Sequence, residues 1–142
     1  IAPEPRADLH GIGILRERVL SEADLPDFAA LDTGDIAFFD SSHILWPGTD
    51  VDIILNRIIP ALKSGVVIHI HDILLPDTYP QEWDWRGYTE QNGVAPLLLG
   101  ACEILFSSHY AVTRMDAASR PGINALPLPE GAFETCLWLR RR

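Results

Sequence analysis

The chain has 142 residues, of which 47% are hydrophobic and 22% charged, and its formal net charge is −9. This length and composition predict a single domain spanning residues 1–142. The negative charge argues against a nucleic-acid partner, because proteins that bind the phosphate backbone present basic patches. No apolar run approaches the roughly 20 residues of a membrane-spanning helix and no signal-peptide pattern is present, so we expect no membrane partner and a cytoplasmic location. Cys102 and Cys136 are expected to be free, buried thiols.

The first elements of the chain are weakly marked. Ile12, Ile14 and Val19 indicate a short strand near residues 7–18, and residues 25–31 indicate one or two helical turns. An acidic turn that contains glycine then leads into the central part of the chain.

A strand–helix–strand unit occupies the middle of the chain. The apolar run from Ile36 to Asp40 predicts a strand buried on both faces, and the run from Gly65 to His71 predicts a second one. Between them, Thr49 is a good N-cap, and Pro60 should end or kink the helix at Ile59. The apolar face of this helix consists of Val51, Ile54, Leu55, Ile58 and Leu62.

The second half begins with residues 74–93, a connector rich in proline and aromatic residues whose length is typical of functional lids or of disordered segments. A helix is predicted from Thr89 to Ala101 and a strand from Glu103 to Ser107. A loop at residues 116–131 and a last strand from Glu134 to Arg140 follow, joined as a hairpin-like return. The pattern therefore predicts parallel units closed by an antiparallel strand pair.

Both central strands end in an acid and a histidine. Asp40 and His43 follow the first strand, and His71 and Asp72 end the second. A parallel crossover brings the carboxyl ends of its two strands to the same edge of the sheet, where open α/β sheets bind ligands. We therefore expect these four side chains to converge on one polar site.

Each of these side chains has a functional and a structural interpretation. Asp40 and Asp72 either bind a metal or a substrate hydroxyl, or they cap the turns that follow the strands. His43 is a candidate general base, because imidazole titrates near neutral pH, or else an exposed loop histidine. His69 and His71 share one face of a strand, a spacing that suits metal ligands. His71 is nearer the edge, whereas His69 is expected to be a hydrogen-bonded core histidine.

Three further groups of residues are less specific. Gly11-Ile12-Gly13 lacks the third glycine of a phosphate-binding fingerprint and is interpreted as a turn. Asp50-Val51-Asp52 is similar to a nucleotide-sugar motif, but helix capping explains both acids. Trp83, Trp85 and Tyr88 either close over a substrate or pack the connector against the edge of the sheet.

Several short blocks, in their order and spacing, resemble the class I S-adenosylmethionine-dependent methyltransferases over roughly residues 1–115. These blocks are Gly34-Asp35-Ile36-Ala37-Phe38-Phe39-Asp40-Ser41-Ser42-His43, Asp50-Val51, Ile59-Pro60-Ala61-Leu62, Gly65-Val66, His69-Ile70-His71-Asp72-Ile73, Leu75-Pro76, Tyr79-Pro80, Trp83 and Glu90-Gln91. The D-S-S-H and H-x-H-D-I blocks are closest to a bacterial branch of the family. The resemblance implies an α/β fold with a Rossmann-like sheet, mostly parallel, with an antiparallel C-terminal strand pair.

The resemblance also implies roles for individual residues. Catechol-type members hold a divalent metal with acids after their fourth and fifth strands, and Asp40 and Asp72 occupy those positions. His43 stands where these enzymes have a catalytic lysine, so it is implied as the base. We expect Glu4, Asp40 and Ser41 to bind S-adenosylmethionine, with Glu4 as the nearest substitute for the family's ribose-binding acid, at whose position Ala2 stands. The expected divalent metal site consists of Asp40 and Asp72, which the resemblance implies, and His71, whose place on the strand suits a ligand.

The family binds its methyl donor on a glycine-rich loop after its first strand, and no such segment occurs in this sequence. We therefore expect an N-terminally truncated domain that is inactive alone. In the parent protein, the expected reaction is methyl transfer to an oxygen or nitrogen of a small-molecule acceptor. Because unpaired sheet edges invite pairing with another chain, a homodimer or a strand-swapped assembly is also expected.

Two other functions remain open. A metal-dependent hydrolase would use Asp40, His69, His71 and Asp72 around zinc or manganese. A degenerate domain kept for assembly, without enzymatic activity, is the third hypothesis.

Overall fold

The computed structural model describes residues 1–4, 11, 13–116, 121–127 and 129–142. Its strands are β1 (Ile36–Phe39), β2 (Val67–Ile70), β3 (Cys102–Ser107) and β4 (Leu137–Arg141). They form one four-stranded sheet with the order β1-β2-β4-β3. Together with the helices, this sheet gives the chain the α/β class that the sequence predicts.

The sheet is mixed. β1 and β2 pair in parallel, and β4 pairs antiparallel with both β2 and β3. The parallel pair and the antiparallel C-terminal pair are therefore confirmed. The expectation of a mostly parallel sheet is wrong, because β4 lies between β2 and β3 and makes two of the three pairings antiparallel. β4 returns antiparallel beside β3, as predicted, but the connection between them is not a simple loop: the helices Ser108–Arg114 and Pro121–Asn124 lie in it, and the second of them falls inside the predicted loop at residues 116–131.

In the described residues, six short α-helices accompany the sheet. They are α1 (Leu25–Ala29), α2 (Asp50–Ile53), α3 (Ile59–Ala61), α4 (Glu90–Leu97), α5 (Ser108–Arg114) and α6 (Pro121–Asn124), with 3-10 helices at Glu22–Asp24 and Gln81–Arg86. A π-helical segment, Ile54–Ile58, joins α2 to α3, and we call the continuous segment from α2 to α3 the crossover helix. This helix connects β1 to β2.

The crossover helix begins and bends as its sequence predicts. The hydroxyl of Thr49 accepts a hydrogen bond from the amide of Asp52 at 3.3 Å, which confirms the N-cap. The distortion before Pro60 takes the form of a π turn, in which the Ile59 amide reaches the carbonyl of Ile54. Since proline has no N–H and its ring crowds the preceding turn, the widened turn accommodates it. The helix continues two residues beyond Ile59 and ends at Ala61.

Other boundaries differ from the expectation. α4 ends at Leu97 rather than Ala101, and turns follow it, because Gly93 and Pro96 weaken the helical pattern. The predicted strand near residues 7–18 is absent over residues 13–18, and Ile12 lies outside the described residues. Helices α5 and α6 were not predicted.

The core lies on one face of the sheet. Ala37 and Phe39 of β1 are buried in the same cluster as Ile58 of the crossover helix. On the opposite face Ile36 and Phe38 are 56% and 60% exposed. The expectation that β1 is buried on both faces is therefore wrong, because the crossover helix packs on one face only.

No helix in the described part of the chain is long and apolar enough to cross a membrane. Both cysteines are free thiols, as predicted, and Cys102 is buried whereas Cys136 is half-buried.

Candidate functional site

The carboxyl ends of β1 and β2 meet at one edge of the sheet. The amide of His71 donates a hydrogen bond to the carbonyl of Phe39 at 2.9 Å, which extends the parallel ladder to the last residue of β1. Asp40 follows directly, and its Oδ1 lies 3.6 Å from His71 Nδ1. Asp72 Oδ1 lies 3.2 Å from the same His71 nitrogen. The two strand-end carboxylates therefore converge, as the crossover geometry predicts.

His43 lies at the centre of this convergence and is only 3% exposed. Its Nε2 is 3.3 Å from Asp40 Oδ1 and 3.6 Å from Asp72 Oδ2. Its Nδ1 is 2.7 Å from Glu90 Oε2. The interpretation of His43 as an exposed loop histidine is wrong, because the start of α4 and the two strand ends enclose it.

The N-terminus of α4 fixes the His43 loop. The carbonyl of His43 accepts hydrogen bonds from the amides of Thr89 and Glu90 at 2.9 and 3.1 Å. The Leu45 amide donates to Thr89 Oγ1 at 2.8 Å. Ser41 Oγ accepts the His43 amide and donates to Glu90 Oε2 at 3.0 Å. These contacts hold the His43 ring against Glu90, whose carboxylate the positive end of the helix dipole stabilises.

Two residues of the site have strained backbones. His43 and Asp72 have φ values of 59° and 55°, and among the described residues they are the two non-glycine residues with positive φ. A left-handed conformation costs a non-glycine residue about 1 kcal/mol or more and persists only where the surroundings enforce it. That both occur at the same cluster supports a functional interpretation of the cluster.

The charges around His43 favour its protonated form. Burial disfavours the charged imidazole, but the hydrogen bond and charge of Glu90, with the charges of Asp72 and Asp40, overcome it and raise the pKa of His43. Glu90 is fully buried, so its carboxylate is close to an imidazole in a medium of low dielectric constant. When Nδ1–H donates to Glu90, the neutral ring presents Nε2 as a proton acceptor on the side of Asp40 and Asp72.

His69 differs from His43 in its surroundings. Its ring is stacked on Phe38 with centroids 4.6 Å apart, and its centroid lies 4.5 Å from that of Trp138. Burial lowers the pKa of His69. His69 is buried, as predicted, but the expectation of a hydrogen-bonded core histidine is wrong: its Nδ1 makes no hydrogen bond with the described residues, and its ring packs on Phe38, on the face of the sheet opposite the core.

Three side chains could hold a metal ion. Ligand atoms of Asp40, His43 and His71 all lie within 4.8 Å of one another. The predicted metal ligands were Asp40, His71 and Asp72. In the structure His43 takes the place of Asp72 in this group. One carboxylate and two imidazoles suit zinc, iron or manganese. Glu90 would then orient the ligating His43 through its other nitrogen, as carboxylates commonly do for metal-bound histidines.

The connector at residues 74–93 lies against the site. Tyr88 packs on His43 with ring centroids 4.5 Å apart, and Trp83 contacts Tyr88 edge to face. Trp85 is 82% exposed. Tyr88 therefore covers His43, whereas Trp83 packs on Tyr88 and on Phe133, which lies outside the connector.

A buried glutamine helps to hold the connector in place. The amide of Leu74 donates to Gln91 Oε1, and Gln91 Nε2 donates to the carbonyl of Asp77.

The residues assigned to S-adenosylmethionine are not all brought together. Asp40 and Ser41 are neighbours at the edge of the sheet, but the Ser41 hydroxyl donates its hydrogen bond to Glu90. Glu4 is exposed, and no contact among the described residues joins it to Asp40 or Ser41.

Sequence reasoning did not assign a role to Glu90, although the Glu90-Gln91 block belongs to the resemblance. The signal that could have revealed it is a glutamate at the first position of a helix after a long connector, since an acid is favoured there. Comparisons with protein-family models, curated proteins and solved structures gave no match to this chain.

Proposed function

We propose that this chain forms the acceptor side of an S-adenosylmethionine-dependent methyltransferase that acts on an oxygen or nitrogen of a small molecule. The observation that carries the proposal is the position of His43, which is buried between two strand-end carboxylates with Nδ1 held by Glu90. Transfer of a methyl group from a sulfonium requires mainly that the acceptor is positioned and deprotonated. The resemblance in the D-S-S-H and H-x-H-D-I blocks supports the same assignment.

In this mechanism His43 is the general base. Its Nε2 accepts the proton of the acceptor hydroxyl or amine, while Asp40 and Asp72 accept hydrogen bonds that orient the acceptor. The Glu90 carboxylate stabilises the imidazolium that forms, as the acid of a catalytic triad does for its histidine. Because the pKa of His43 is raised, the proton-accepting form becomes more abundant as the pH rises through that pKa. The rate should therefore rise with pH.

S-adenosylmethionine supplies an activated methyl group when it is bound. The chain's own contribution would come from Asp40, which is exposed at the edge of the sheet, and from the neighbouring Ser41. We include Glu4 in this proposal only on the strength of the resemblance.

The test is formation of S-adenosylhomocysteine by the protein expressed from its complete reading frame, with a panel of phenols, sugars and amines as acceptors. We expect His43→Gln to lower the rate by 100-fold or more, about what a positioned general base contributes. His109→Gln is the matched control, because His109 is also buried and bound to a carboxylate, Asp77, away from the cluster. Equal activity of the two variants would contradict the role of His43, and no product with any acceptor would favour a degenerate domain.

A metal-dependent hydrolase is the second candidate, and the grouping of Asp40, His43 and His71 favours it. A bound divalent metal supplies a hydroxide nucleophile near neutral pH. In that case His43 would be a ligand through Nε2 and could not act as a free base. Elemental analysis of the purified protein separates the candidates, since one tightly bound transition metal per chain supports the hydrolase.

The assembly and location are also proposals. β1 and β3 form the two edges of the sheet, and such edges support the expectation of a homodimer or a strand-swapped assembly. We propose a cytoplasmic location, which the two free thiols suit.

A further inference from the structure

The side chain of Arg86 is held by aromatic rings beside the candidate site. Arg86 is the last residue of the 3-10 helix Gln81–Arg86. Its guanidinium carbon lies 4.3 Å from the ring centroid of Trp83 and 5.4 Å from those of Trp85 and Tyr88. Stacking on aromatic faces fixes the plane of a guanidinium, so that its N–H groups are oriented before a ligand arrives.

The described residues use little of the hydrogen-bonding capacity of Arg86. Its Nη1 donates to the Tyr88 hydroxyl at 3.4 Å, and its buried Nε has no hydrogen-bond partner. The nearest carboxylate oxygen, Asp72 Oδ2, is 3.9 Å from Nη1, beyond hydrogen-bond distance. A guanidinium has five N–H donors and no acceptor, so the described residues leave most of the Arg86 donors without a hydrogen-bond partner.

Arg86 and the candidate base face the same oxygen atom. Asp72 Oδ2 lies 3.6 Å from His43 Nε2 and 3.9 Å from Arg86 Nη1. A small molecule whose reacting atom is at His43 Nε2 is therefore close enough to reach Arg86 with a second group.

The charges of the site define what that second group must be. Asp40, Asp72 and Glu90 place three carboxylates around His43. Among the described residues, Arg86 is the arginine within ion-pair distance of this cluster. Arg86 can therefore bind an anionic acceptor that the carboxylates would otherwise repel. The paired N–H groups of a guanidinium can donate two parallel hydrogen bonds to a carboxylate or a phosphate.

We propose that Arg86 is an anion-binding subsite, so that the acceptor carries a carboxylate or phosphate group as well as the hydroxyl or amine that is methylated. That the bound anion is a methyl acceptor rests on the proposed function. Anion binding at Arg86 itself can be measured without methyl transfer. The competing structural role for Arg86 is that of a counter-ion that only stabilises Asp72 and the connector.

The test compares three ligands that share a phenyl ring: benzoate, phenyl phosphate and benzamide. Binding is measured by calorimetry and by the fluorescence of the tryptophans on which Arg86 stacks. We expect the protein to bind at least one of the two anions more tightly than neutral benzamide. Arg86→Gln should weaken that anion about tenfold or more and change benzamide binding less than about twofold. Arg86→Lys keeps the charge but not the fork, so it should recover part of the loss.

Arg140→Gln is the control, because Arg140 is an exposed arginine paired with Glu103 on the sheet and its loss changes the net charge equally. It should leave anion binding unchanged. Equal binding of benzoate, phenyl phosphate and benzamide would overturn the subsite, as would an Arg86→Gln variant that binds both anions like the wild type. If Arg86→Gln unfolds, Arg86→Lys and the preference for anions over benzamide decide the question. A wild-type protein that transfers methyl groups but binds anions no more tightly than benzamide contradicts the subsite alone. A wild-type protein that prefers the anions but transfers no methyl group contradicts the proposed function alone.

Discussion

Replacing Glu90 by glutamine removes one charge from the site while keeping its shape. In the wild-type protein Glu90 is fully buried and its Oε2 is 2.7 Å from His43 Nδ1. A glutamine amide oxygen can still accept that hydrogen bond, so the substitution isolates the contribution of the charge. We expect Glu90→Gln to lower the pKa of His43, because burial then acts with less opposition.

The expected size follows from the type of hydrogen bond that is changed. A buried hydrogen bond between neutral groups contributes about 0.5–1.5 kcal/mol, and one that involves a charged group contributes about 1.5–3 kcal/mol. Glu90→Gln should therefore lower the free energy of unfolding by about 1 kcal/mol when His43 is charged. Because the folded-state pKa of His43 is raised, its stabilising contribution is fully present below the unfolded value of about 6.5 and is lost as the pH rises through the folded pKa.

Urea unfolding at pH 6 and pH 9 measures this difference. The loss of stability in Glu90→Gln should be larger at pH 6 than at pH 9. Glu103→Gln is the matched control, since Glu103 is exposed and paired with Arg140, and its loss should change stability by less than about 0.5 kcal/mol at both pH values. An equal loss at pH 6 and pH 9 for Glu90→Gln would refute the charged pair between Glu90 and His43.

Three further predictions concern the core, the turn before β2 and the metal candidates. Ile58→Ala should lower the free energy of unfolding in urea by about 2–5 kcal/mol, since Ile58 is fully buried, and a loss below 1 kcal/mol would contradict its place in the core. Gly65→Ala should cost more than about 1 kcal/mol in the same assay, because Gly65 has φ +87° and its new Cβ would lie 2.6 Å from Thr33, whereas Gly100→Ala, with open space, should cost less. If the cluster binds zinc, His71→Ala should weaken binding at least about tenfold by calorimetry, and unchanged affinity would exclude His71 as a ligand.

The local patterns of the sequence predicted the part of the fold that positions the site. The apolar run before Asp40 and the capped helix after Thr49 set the parallel pair β1 and β2, because each pattern is short-range and strong. The exposure of Phe38 could not be predicted, since an apolar run does not show which of its faces other elements cover. The place of β4 in the sheet is likewise a long-range property that no local pattern contains.

The same distinction applies to the site. Asp40 and Asp72 were predictable because they end strands that pair in parallel. The contacts of Glu90 and Tyr88 with His43 were not, because both residues lie in the long connector at residues 74–93, whose path the sequence does not specify. The enclosure of His43 follows from those contacts, so its burial could not be predicted from its position three residues after Asp40.

The most direct test of the account is the titration of His43 by NMR in the folded protein, with the ring nitrogens resolved. We expect a pKa above the ordinary histidine value of about 6.5 and, in the neutral form, a proton on Nδ1 that is bound to Glu90. A His43 that stays neutral down to acidic pH, or that carries its proton on Nε2, could not act as the proposed base and would contradict the account.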